Sequence, residues 1–299
     1  MQDNLIIIVI LNLNRSKDLV ACLDSVYAQN IYDKEIIVID NGSVDDSINL
    51  VKTEFPKVTI IESKFNLGVA GGRNIGIKTA FEKFDFKYIL FLDNDVILEK
   101  DFLSYLVNSF SLNNEIGIAA PKCISYNEPR KIEFAGGINV NLYTGNIKNI
   151  GNGQPDNSNF IEPKFLKSSG GLFMTTKSVL NSVGFFDEKF NPYGWEDVDF
   201  SLRVRQKGFK IYYNPKAIVY HKGGKRVRTD LVEEYESSKI KNYFYLLKKH
   251  ATILQRFTLI FCLPFILIFS LANEMFIGNH KLIIYKFKGL AKIIFPLKK

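Results

Sequence analysis

The feature that most constrains the fold of this chain is an alternation of aliphatic runs and helix-length segments in its N-terminal part. The aliphatic runs are short and unbroken, which is typical of strands buried on both faces of a parallel sheet. They occupy residues 5–11, 36–39, 58–61 and 88–92. The segments between them mix polar and apolar residues and cover residues 16–28, 45–55 and 72–84. This alternation predicts a doubly wound α/β sheet with helices on both faces and ligands at the carboxyl ends of the strands.

Polar residues follow three of the four predicted strands. Asn12 and Asn14 follow the first strand, and residues 40–43 (Asp-Asn-Gly-Ser) follow the second. Residues 40–43 are also typical of a turn that caps the next helix, so either interpretation fits them. The fourth strand is followed by residues 93–95 (Asp-Asn-Asp). The sequence therefore places polar side chains where a doubly wound sheet binds its ligand.

Asp93 and Asp95 directly follow an apolar strand. Burying a carboxylate there without a partner would cost several kcal/mol, so a cation is expected nearby. Two carboxylates flanking one residue suit a hard divalent ion that also holds a diphosphate, such as Mg²⁺ or Mn²⁺. The alternative is that Asp95 caps a helix and Asp93 is solvated.

A glycine-rich segment, residues 66–74 (Asn-Leu-Gly-Val-Ala-Gly-Gly-Arg-Asn), leads into the third predicted helix. Free backbone N–H groups and the helix dipole at such a point favour an anion such as phosphate. The segment matches neither the Walker A pattern nor G-x-G-x-x-G. Its glycines Gly68, Gly71 and Gly72 are equally consistent with close packing of the helix alone.

A second group of acids, Glu196, Asp197 and Asp199, precedes a segment that reads as a helix ended by Gly208. Asp199 and Arg203 stand four residues apart and can pair on that helix. Glu196 and Asp197 then lie at the helix start, where the dipole favours the anionic form. A carboxylate there, beside Trp195, suits a general base for a hydroxyl group. Simple acidity at a helix start is the alternative.

His221 ends a further strand-like run, residues 217–220. A lone histidine is more often a hydrogen-bonded structural residue than a ligand, but the two acidic groups favour a metal ligand here. Residues 222–228, which include three further basic residues beyond Lys222 and two glycines, predict a cationic loop that closes over a diphosphate or is a solvated turn.

The net charge of +8 is confined to the end of the chain. Residues 1–240 carry 29 Lys and Arg against 30 Asp and Glu, whereas residues 241–299 carry 10 Lys and Arg against Glu274 alone. This tail also contains the apolar run of residues 257–272. Apolar and basic residues together predict association with a membrane surface, and we expect no nucleic acid partner.

The apolar run is shorter than the roughly 20 residues of a spanning helix, contains Pro264 and is flanked by basic residues on both sides. These features favour an in-plane or re-entrant anchor over a single span. A buried core helix or a dimer interface is the remaining alternative. The oligomeric state is not predicted.

The three cysteines, Cys22, Cys123 and Cys262, lie far apart, which excludes a disulfide framework and a cysteine zinc site. The N-terminus lacks the features of a signal peptide, so we expect the protein at the cytoplasmic face of the membrane. The predicted organisation is a domain of residues 1–240, with a nucleotide-binding half (1–120) and an acceptor-binding half (121–240), followed by a helical tail of residues 241–299.

Taken in order, these motifs resemble the family 2 inverting glycosyltransferases of GT-A fold, particularly the rhamnosyltransferase-like branch. The resemblance covers about residues 4–225. It rests on the segments already described, together with Gly170-Gly171 and His221. It implies a Rossmann-like, mostly parallel sheet flanked by helices, and a nucleoside-diphosphate sugar as donor, either a dTDP-sugar or a UDP-sugar.

The resemblance also implies residue roles. Asp40 would recognise the base, Asp93 would lie near ribose and metal, and Asp95 and His221 would ligate Mn²⁺ or Mg²⁺. Asp197 would be the catalytic base, with Glu196 as the second choice. Trp195 would contact the acceptor. The residues it assigns to the donor site are Asn12, Asn14, Asp40, Gly68, Arg73, Asn74, Asp93, Asn94, Gly170 and Gly171.

The function expected from these features is metal-dependent, inverting transfer of a sugar to a hydroxyl of a glycan or lipid-linked glycan precursor. Rhamnose is one candidate for the transferred sugar. Two alternatives remain. A sugar-phosphate nucleotidyltransferase would also use paired aspartates and a glycine-rich phosphate loop. A non-catalytic module that binds nucleotide sugar or membrane would need no base at Asp197.

Overall fold

The computed structural model describes residues 4–29, 33–223, 229–276 and 280–294. Most of the predicted cationic loop, residues 224–228, lies outside these described residues, as do residues 295–299 of the tail.

The first part of the chain alternates strand and helix as the sequence predicts, with bounds within a few residues of the expected ones. Its elements are β1 (Ile6–Asn12), α1 (Ser16–Tyr27), β2 (Lys34–Asp40), α2 (Ser47–Glu54), β3 (Thr59–Glu62), α3 (Gly68–Lys83), β4 (Tyr88–Asp93), β5 (Val96–Leu98) and α4 (Phe102–Leu112). The second part contains more strand than was foreseen. Its elements are β6 (Ile116–Ser125), β7 (Ile132–Ala135), β8 (Ile138–Asn141), β9 (Asn146–Asn149), β10 (Lys164–Leu166), β11 (Phe173–Thr176), α5 (Lys177–Val183), α6 (Glu196–Gln206) and β12 (Lys210–His221).

A mixed sheet forms the centre of the molecule, with strand order β10-β12-β6-β11-β4-β1-β2-β3. The strands β4, β1, β2 and β3 pair in parallel, as do β6 and β12. Between these two groups, β11 is antiparallel to both β4 and β6. The predicted mostly parallel, Rossmann-like sheet is therefore confirmed, with β11 joining its two parallel parts.

Alternate residues of the sheet pack against helices on its two faces. On β1, Ile6, Ile8 and Ile10 join α1 and α4 in one apolar cluster, while Ile7 and Val9 join α3 in the other. Burial on both faces explains why the strands read as unbroken aliphatic runs in the sequence. The helices on both faces leave the carboxyl ends of the strands as the open edge of the sheet.

The pairing of β12 brings a distant residue to that edge. β12 is antiparallel to β5, and its last residue, His221, lies opposite Val96. Because β5 follows Asp95 directly, this register places His221 beside the turn of residues 93–95. The sheet therefore joins the two parts of the chain at the point where the sequence predicts a metal site.

Three helices complete the chain: α7 (Thr229–His250), α8 (Ile253–Phe276) and α9 (His280–Ile294). The predicted boundary after residue 240 falls inside α7. Leu246 of α7 packs with Val198 and Leu202 of α6, in one apolar cluster. α7 is thus packed on the helix that carries the second acidic group.

Candidate active site

Four of the polar residues predicted at the strand ends form one buried network. The side-chain amide of Asn12 donates to Asp40 Oδ1 at 2.9 Å, and that of Asn94 donates to Asn12 Oδ1 at 2.6 Å and to Asn14 O at 2.8 Å. Asp40 also accepts from the backbone N–H of Ser43 at 3.0 Å. These bonds fix the ends of β1, β2 and β4 relative to one another.

Asp93 and Asp95 face different surroundings although they flank one residue. The Asp93 side chain is 43% exposed and lines a cavity, whereas that of Asp95 is 10% exposed. Asp95 pairs with Arg15 Nη1 at 2.5 Å and lies 3.3 Å from His221 Nε2. Burial raises the pKa of Asp95, but His221 and Arg15 outweigh it and hold that pKa below its ordinary value.

His221 lies between two carboxylates. Its Nε2 faces Asp95, and its Nδ1 lies 2.5 Å from Glu133 Oε2 on β7. Burial lowers the pKa of His221, yet the bonds to Asp95 and Glu133 raise it to about 10. A metal ion at Nε2 would have to displace the proton that faces Asp95. The hydrogen bond from Nδ1 to a carboxylate is the usual second contact of a metal-binding histidine.

Glu133 is a site residue that the sequence does not indicate. It stands in no motif, and it reaches His221 because β7 pairs with β6, which pairs in turn with β12. Its carboxylate, His221 and the buried thiol of Cys123 offer ligand atoms within 4.8 Å of one another. Asp93 and Asp95 do not belong to that group. By ligand chemistry alone, their carboxylates and the His221 imidazole are groups that Mn²⁺ accepts.

The second acidic group begins α6. Trp195 and Gly194, just before the helix, both have positive φ angles, 74° and 101°. The Gly194 N–H donates to Glu196 Oε2 at 2.9 Å, and the Val198 N–H donates to Asp197 Oδ1 at 2.8 Å. The tight backbone turn thus points Glu196 and Asp197 into the molecule, where they are 5% and 9% exposed.

The backbone N–H groups at the helix start do favour the anionic form of these two acids, as expected, but burial outweighs them. Burial and the neighbouring charge of Asp197 raise the pKa of Glu196 to about 7. Burial also raises the pKa of Asp197, although Arg73 opposes that shift. Removing a carboxylate from water outweighs the dipole when no cation pairs with it directly.

Asp199 is different. As predicted, it pairs with Arg203, at 2.9 Å, and it also contacts Lys249 and His250 of α7, each at 2.7 Å. Burial would raise the pKa of Asp199, but these partners lower it to about 2. Asp199 therefore holds α6 against α7, which gives His250 a structural role that the sequence did not indicate.

Arg73 lies between the two acidic groups and is 2% exposed. One terminal nitrogen, Nη2, donates to Gly171 O at 2.9 Å and lies 3.5 Å from Asp93 Oδ1. Its Nε and Nη1 have no hydrogen-bond partner among the described residues. The guanidinium packs over the rings of Phe91 and Phe186. It is a fixed positive charge that partly offsets the rise in the pKa values of Glu196 and Asp197 caused by burial.

One cavity of about 350 Å³ joins both acidic groups. It lies at the carboxyl end of β4. The predicted site residues that line it are Arg73, Asp93, Gly170, Gly171, Trp195, Glu196, Asp197 and His221. A Cβ at Gly171 would lie 3.4 Å from Arg73 Nη2 and 3.9 Å from Asp197 Oδ2, so this glycine keeps the floor of the cavity open. The structure thus brings together residues over a hundred positions apart.

Three backbone N–H groups of the glycine-rich segment already have partners. The N–H groups of Gly68, Val69 and Gly71 donate to Asn66, Pro192 and Asn191. A Cβ at Gly68 would lie 2.5 Å from the Asn191 side chain. These contacts favour the close-packing alternative for the segment and leave the Gly68 amide unavailable to a phosphate.

Asn74, predicted in the donor site, is occupied elsewhere. Its amide donates to Phe186 O at 3.0 Å and to Glu188 Oε1 at 2.8 Å, and its oxygen accepts from the Phe186 N–H at 2.9 Å. All of its polar atoms thus hold α3 to the segment before α6. Asn12, Asn14, Asp40 and Asn94 are not among the residues that line the cavity.

Comparisons with known proteins identify the family and the fold of the chain. The sequence model described as glycosyl transferase family 2 matches residues 7–180, and that described as the N-terminal domain of galactosyltransferase matches residues 161–224. Chondroitin synthase of Pasteurella multocida (strain Pm70) is 29% identical over 254 residues, which are 75% of this chain and 25% of that protein. Poly-beta-1,6-N-acetyl-D-glucosamine synthase of Staphylococcus epidermidis is 27% identical over 213 residues, 69% of this chain and 47% of that protein.

The chain thus spans half or less of the curated relatives described here. Two solved structures share its fold. GalNAc-T7 with UDP, GalNAc and Mn²⁺ aligns at a TM-score of 0.63 and 19% identity, over 81% of this chain and 47% of that one. The mannosyltransferase PcManGT from Pyrobaculum calidifontis, in complex with GDP-Man and Mn²⁺, aligns at 0.59 and 14% identity, over 98% and 88%.

The family match covers more than half of the chain and includes both the strand-end network and the Asp93–Asp95 turn. The fold and the order of its motifs agree with it. The chain therefore belongs to glycosyltransferase family 2 and has the GT-A fold.

Proposed function

We propose that this protein is a metal-dependent, inverting glycosyltransferase that moves a sugar from a nucleoside diphosphate to a hydroxyl group. The single observation that supports this most is the cavity that joins Asp93 to Glu196 and Asp197. A transferase needs a site for the diphosphate and a base for the acceptor within reach of one sugar, and the cavity has room for both.

The donor would enter from the Asp93 side. Asp95 and His221 would hold the divalent ion, Mn²⁺ or Mg²⁺, with Asp93 beside it; both structures described above contain Mn²⁺ together with a nucleotide or nucleotide sugar. When bound, such an ion neutralises charge on the diphosphate as it leaves. Arg73 supplies a second, permanent positive charge at the floor of the cavity.

The acceptor would bind beside Trp195, with its hydroxyl facing Asp197. Asp197 takes the hydroxyl proton while the oxygen attacks the anomeric carbon, and the bond from that carbon to the diphosphate oxygen breaks. Attack from the face opposite the leaving group inverts the configuration. The raised pKa of Asp197 makes its carboxylate a stronger base than a solvated aspartate. Glu196 remains the second choice for this role.

The sugar and acceptor are proposed more broadly. The curated relatives are named for the synthesis of chondroitin and of poly-N-acetylglucosamine, which favours a glycan acceptor for this chain as well. The rhamnosyl donor, as dTDP-rhamnose, and a UDP-sugar stay alternative predictions. Membrane association of residues 241–299 at the cytoplasmic face, with a lipid-linked glycan as acceptor, is part of the proposal because α8 is long and apolar enough to cross a membrane.

A donor screen tests the proposal. Nucleotide sugars are incubated with the protein, with and without Mn²⁺, and release of nucleoside diphosphate and transfer to glycan acceptors are measured. We expect Mn²⁺-dependent release of nucleoside diphosphate from one donor, lost in Asp197→Asn and kept in Asp85→Asn, a matched change of an exposed aspartate that pairs with Lys177. Release of pyrophosphate would indicate the nucleotidyltransferase instead. Binding of a donor with no turnover on any acceptor would favour the non-catalytic module.

A further inference from the structure

The exposed surface of α8 is an apolar stripe along its whole length. Among its described side chains only Leu259 is buried. Phe257, Phe261, Phe265 and Phe269 recur every four residues and are between 60% and 75% exposed. This spacing places them on one face of the helix. The helix is apolar along most of its length, and very little of it is buried against the rest of the protein.

The opposite face of α8 packs on the elements that wall the cavity. The hydroxyl of Thr258 donates to Tyr143 O at 2.7 Å, in the turn between β8 and β9. A Cβ at Gly145 in the same turn would lie 3.1 Å from both Leu259 and Leu263. The β8–β9 hairpin itself lines the cavity through Ile138 and Asn149. The inner face of α8 is therefore one short hairpin away from the proposed acceptor site.

Both ends of α8 are held to the same body. Its first turn follows α7, whose last residue, His250, contacts Asp199 of α6 at 2.7 Å. Its last turns contact α9, where Lys286 pairs with Glu274 at 2.8 Å and bonds the Ser270 hydroxyl at 2.8 Å.

α9 in turn packs along α7. Gly289 approaches α7 so closely that a Cβ there would lie 2.6 Å from Ser237 O, and Lys288 pairs with Glu233. A spanning helix would place α9 on the far side of the bilayer, away from α7. The packing of α9 on α7 is incompatible with a span, although 24 residues, about 36 Å, are long enough for one.

The charges agree with this arrangement. Lys248 just before α8 and Lys281 just after it are both exposed. Basic residues are attracted to an anionic leaflet, and they favour the cytoplasmic side of a membrane. A helix lying in the plane keeps both lysines at the same headgroup layer, whereas a span would move one of them to the other side.

We propose that α8 lies in the plane of an anionic bilayer, embedded through its phenylalanine stripe in one leaflet, with both of its ends on the side of the catalytic domain. The inference rests on the proposed membrane association and adds its geometry. Because the inner face of α8 packs on the β8–β9 hairpin, the cavity is held beside the membrane surface. An acceptor carried on a lipid would reach the cavity without leaving the bilayer.

The topology is tested in vesicles of neutral and anionic phospholipid. The full chain carries Cys262→Ser, and single cysteines are introduced as Lys281→Cys, after α8, or Asp85→Cys, an exposed site on the catalytic domain. A membrane-impermeant maleimide is added from outside. We expect equal labelled fractions at the two sites in vesicles whose catalytic domains mostly face outward. Labelling of Lys281→Cys only after detergent is added would overturn the proposal in favour of a span.

Depth along the helix gives a second, independent readout. A fluorophore at Phe257→Cys, Phe265→Cys or Phe269→Cys is quenched by nitroxide lipids of known depth. An in-plane helix predicts one common depth for all three, whereas a re-entrant or spanning helix places position 265 deeper than position 257. If the protein does not sediment with the vesicles at all, the proposed membrane association fails. If it sediments with unequal depths, only the in-plane geometry fails.

Discussion

Three buried acids lie within a single turn of α6, yet their pKa values shift in opposite directions. Glu196 and Asp197 form one group, and Asp199 is the other. Asp199 contacts Arg203, Lys249 and His250, and its pKa falls to about 2. Glu196 and Asp197 accept backbone N–H groups and have no such direct cation, and their pKa values rise.

The contrast shows that the number of cationic partners, rather than position on the helix, decides in which direction the pKa of a buried carboxylate shifts. A carboxylate whose pKa is about 2 is a poor proton acceptor, whereas Glu196, with a pKa of about 7, takes a proton near neutral pH. The same contrast recurs at the other side of the cavity. Asp95 is paired with Arg15 and His221, while Asp93 is more exposed and open to a ligand.

The largest effect is expected for Asp197→Asn. Removing a general base commonly lowers the rate by about 10²–10⁴-fold, and an amide of the same shape keeps the packing. The turnover number should fall by this factor while donor affinity, measured by calorimetry with Mn²⁺ and the nucleotide sugar, stays the same. Glu196→Gln is the comparison that separates the two candidate bases. A larger loss in Glu196→Gln than in Asp197→Asn would reverse their roles.

The second prediction concerns Asp199→Asn, which should destabilise the fold rather than remove the chemistry. Its side chain is 0% exposed, and Arg203 and Lys249 would lose their common anion while His250 would lose its hydrogen-bond partner. The free energy of unfolding should therefore fall by about 3–5 kcal/mol. The measurement is chemical denaturation near neutral pH, in detergent. Asp187→Asn is a matched control, because Asp187 shares Lys249 but is 21% exposed. An equal fall in the free energy of unfolding in both variants would contradict the claim that the buried contacts of Asp199 stabilise the fold more than the exposed contact of Asp187.

The sequence predicted the first half of the fold well because each signal there is local. An aliphatic run buried on both faces, such as residues 88–92, identifies its strand without knowledge of its neighbours. The Asp199–Arg203 pair was foreseen for the same reason, since both residues are on one helix. Contacts made through the sheet were not foreseen. Glu133 reaches His221 only because two further strand pairings place it there, and His250 reaches Asp199 only because α7 folds back.

The pKa shifts of the site residues could not be predicted from the sequence either. Sequence position suggests the helix dipole, a weak effect of about 0.3–1 kcal/mol. The pKa of Glu196 depends instead on burial, which becomes known only with the coordinates. Similarly, the glycine-rich segment suggests free N–H groups, whereas Asn191 and Pro192, far along the chain, occupy them. What a residue offers to a ligand depends on which partners the fold brings to it.

The third prediction concerns Glu133, on the side of the cavity where the metal is proposed to bind. Glu133→Ala should weaken binding of Mn²⁺ by about 10–100-fold, because His221 loses the carboxylate that fixes its ring. Glu133→Gln keeps an oxygen that accepts from Nδ1 and should recover part of the affinity. Titration of Mn²⁺ by electron paramagnetic resonance measures this without turnover. Glu128→Ala, at an exposed site nearby, serves as the control. Unchanged affinity in Glu133→Ala would exclude a positioning role.

The smallest effect is expected in the pH dependence, and it tests the contrast directly. Because burial raises the pKa of Glu196 to about 7 and also raises that of Asp197, these acids hold protons at pH values where a solvated carboxyl group is ionised. The rate of transfer should rise with pH along an acid limb whose midpoint lies above the ordinary carboxyl range. Glu196→Gln removes a neighbouring negative charge and should move that midpoint to lower pH.

Asp199 is ionised above about pH 2, so its titration does not shape the rate profile in this range. Asp187→Asn, which alters the same cluster of charges, should therefore leave the midpoint in place. The profile of kcat/KM against pH, followed with the donor identified by the screen, measures the midpoint and its shift in each variant. A midpoint at the ordinary pKa of a solvated carboxyl group would mean that the base is not one of the two buried acids of α6.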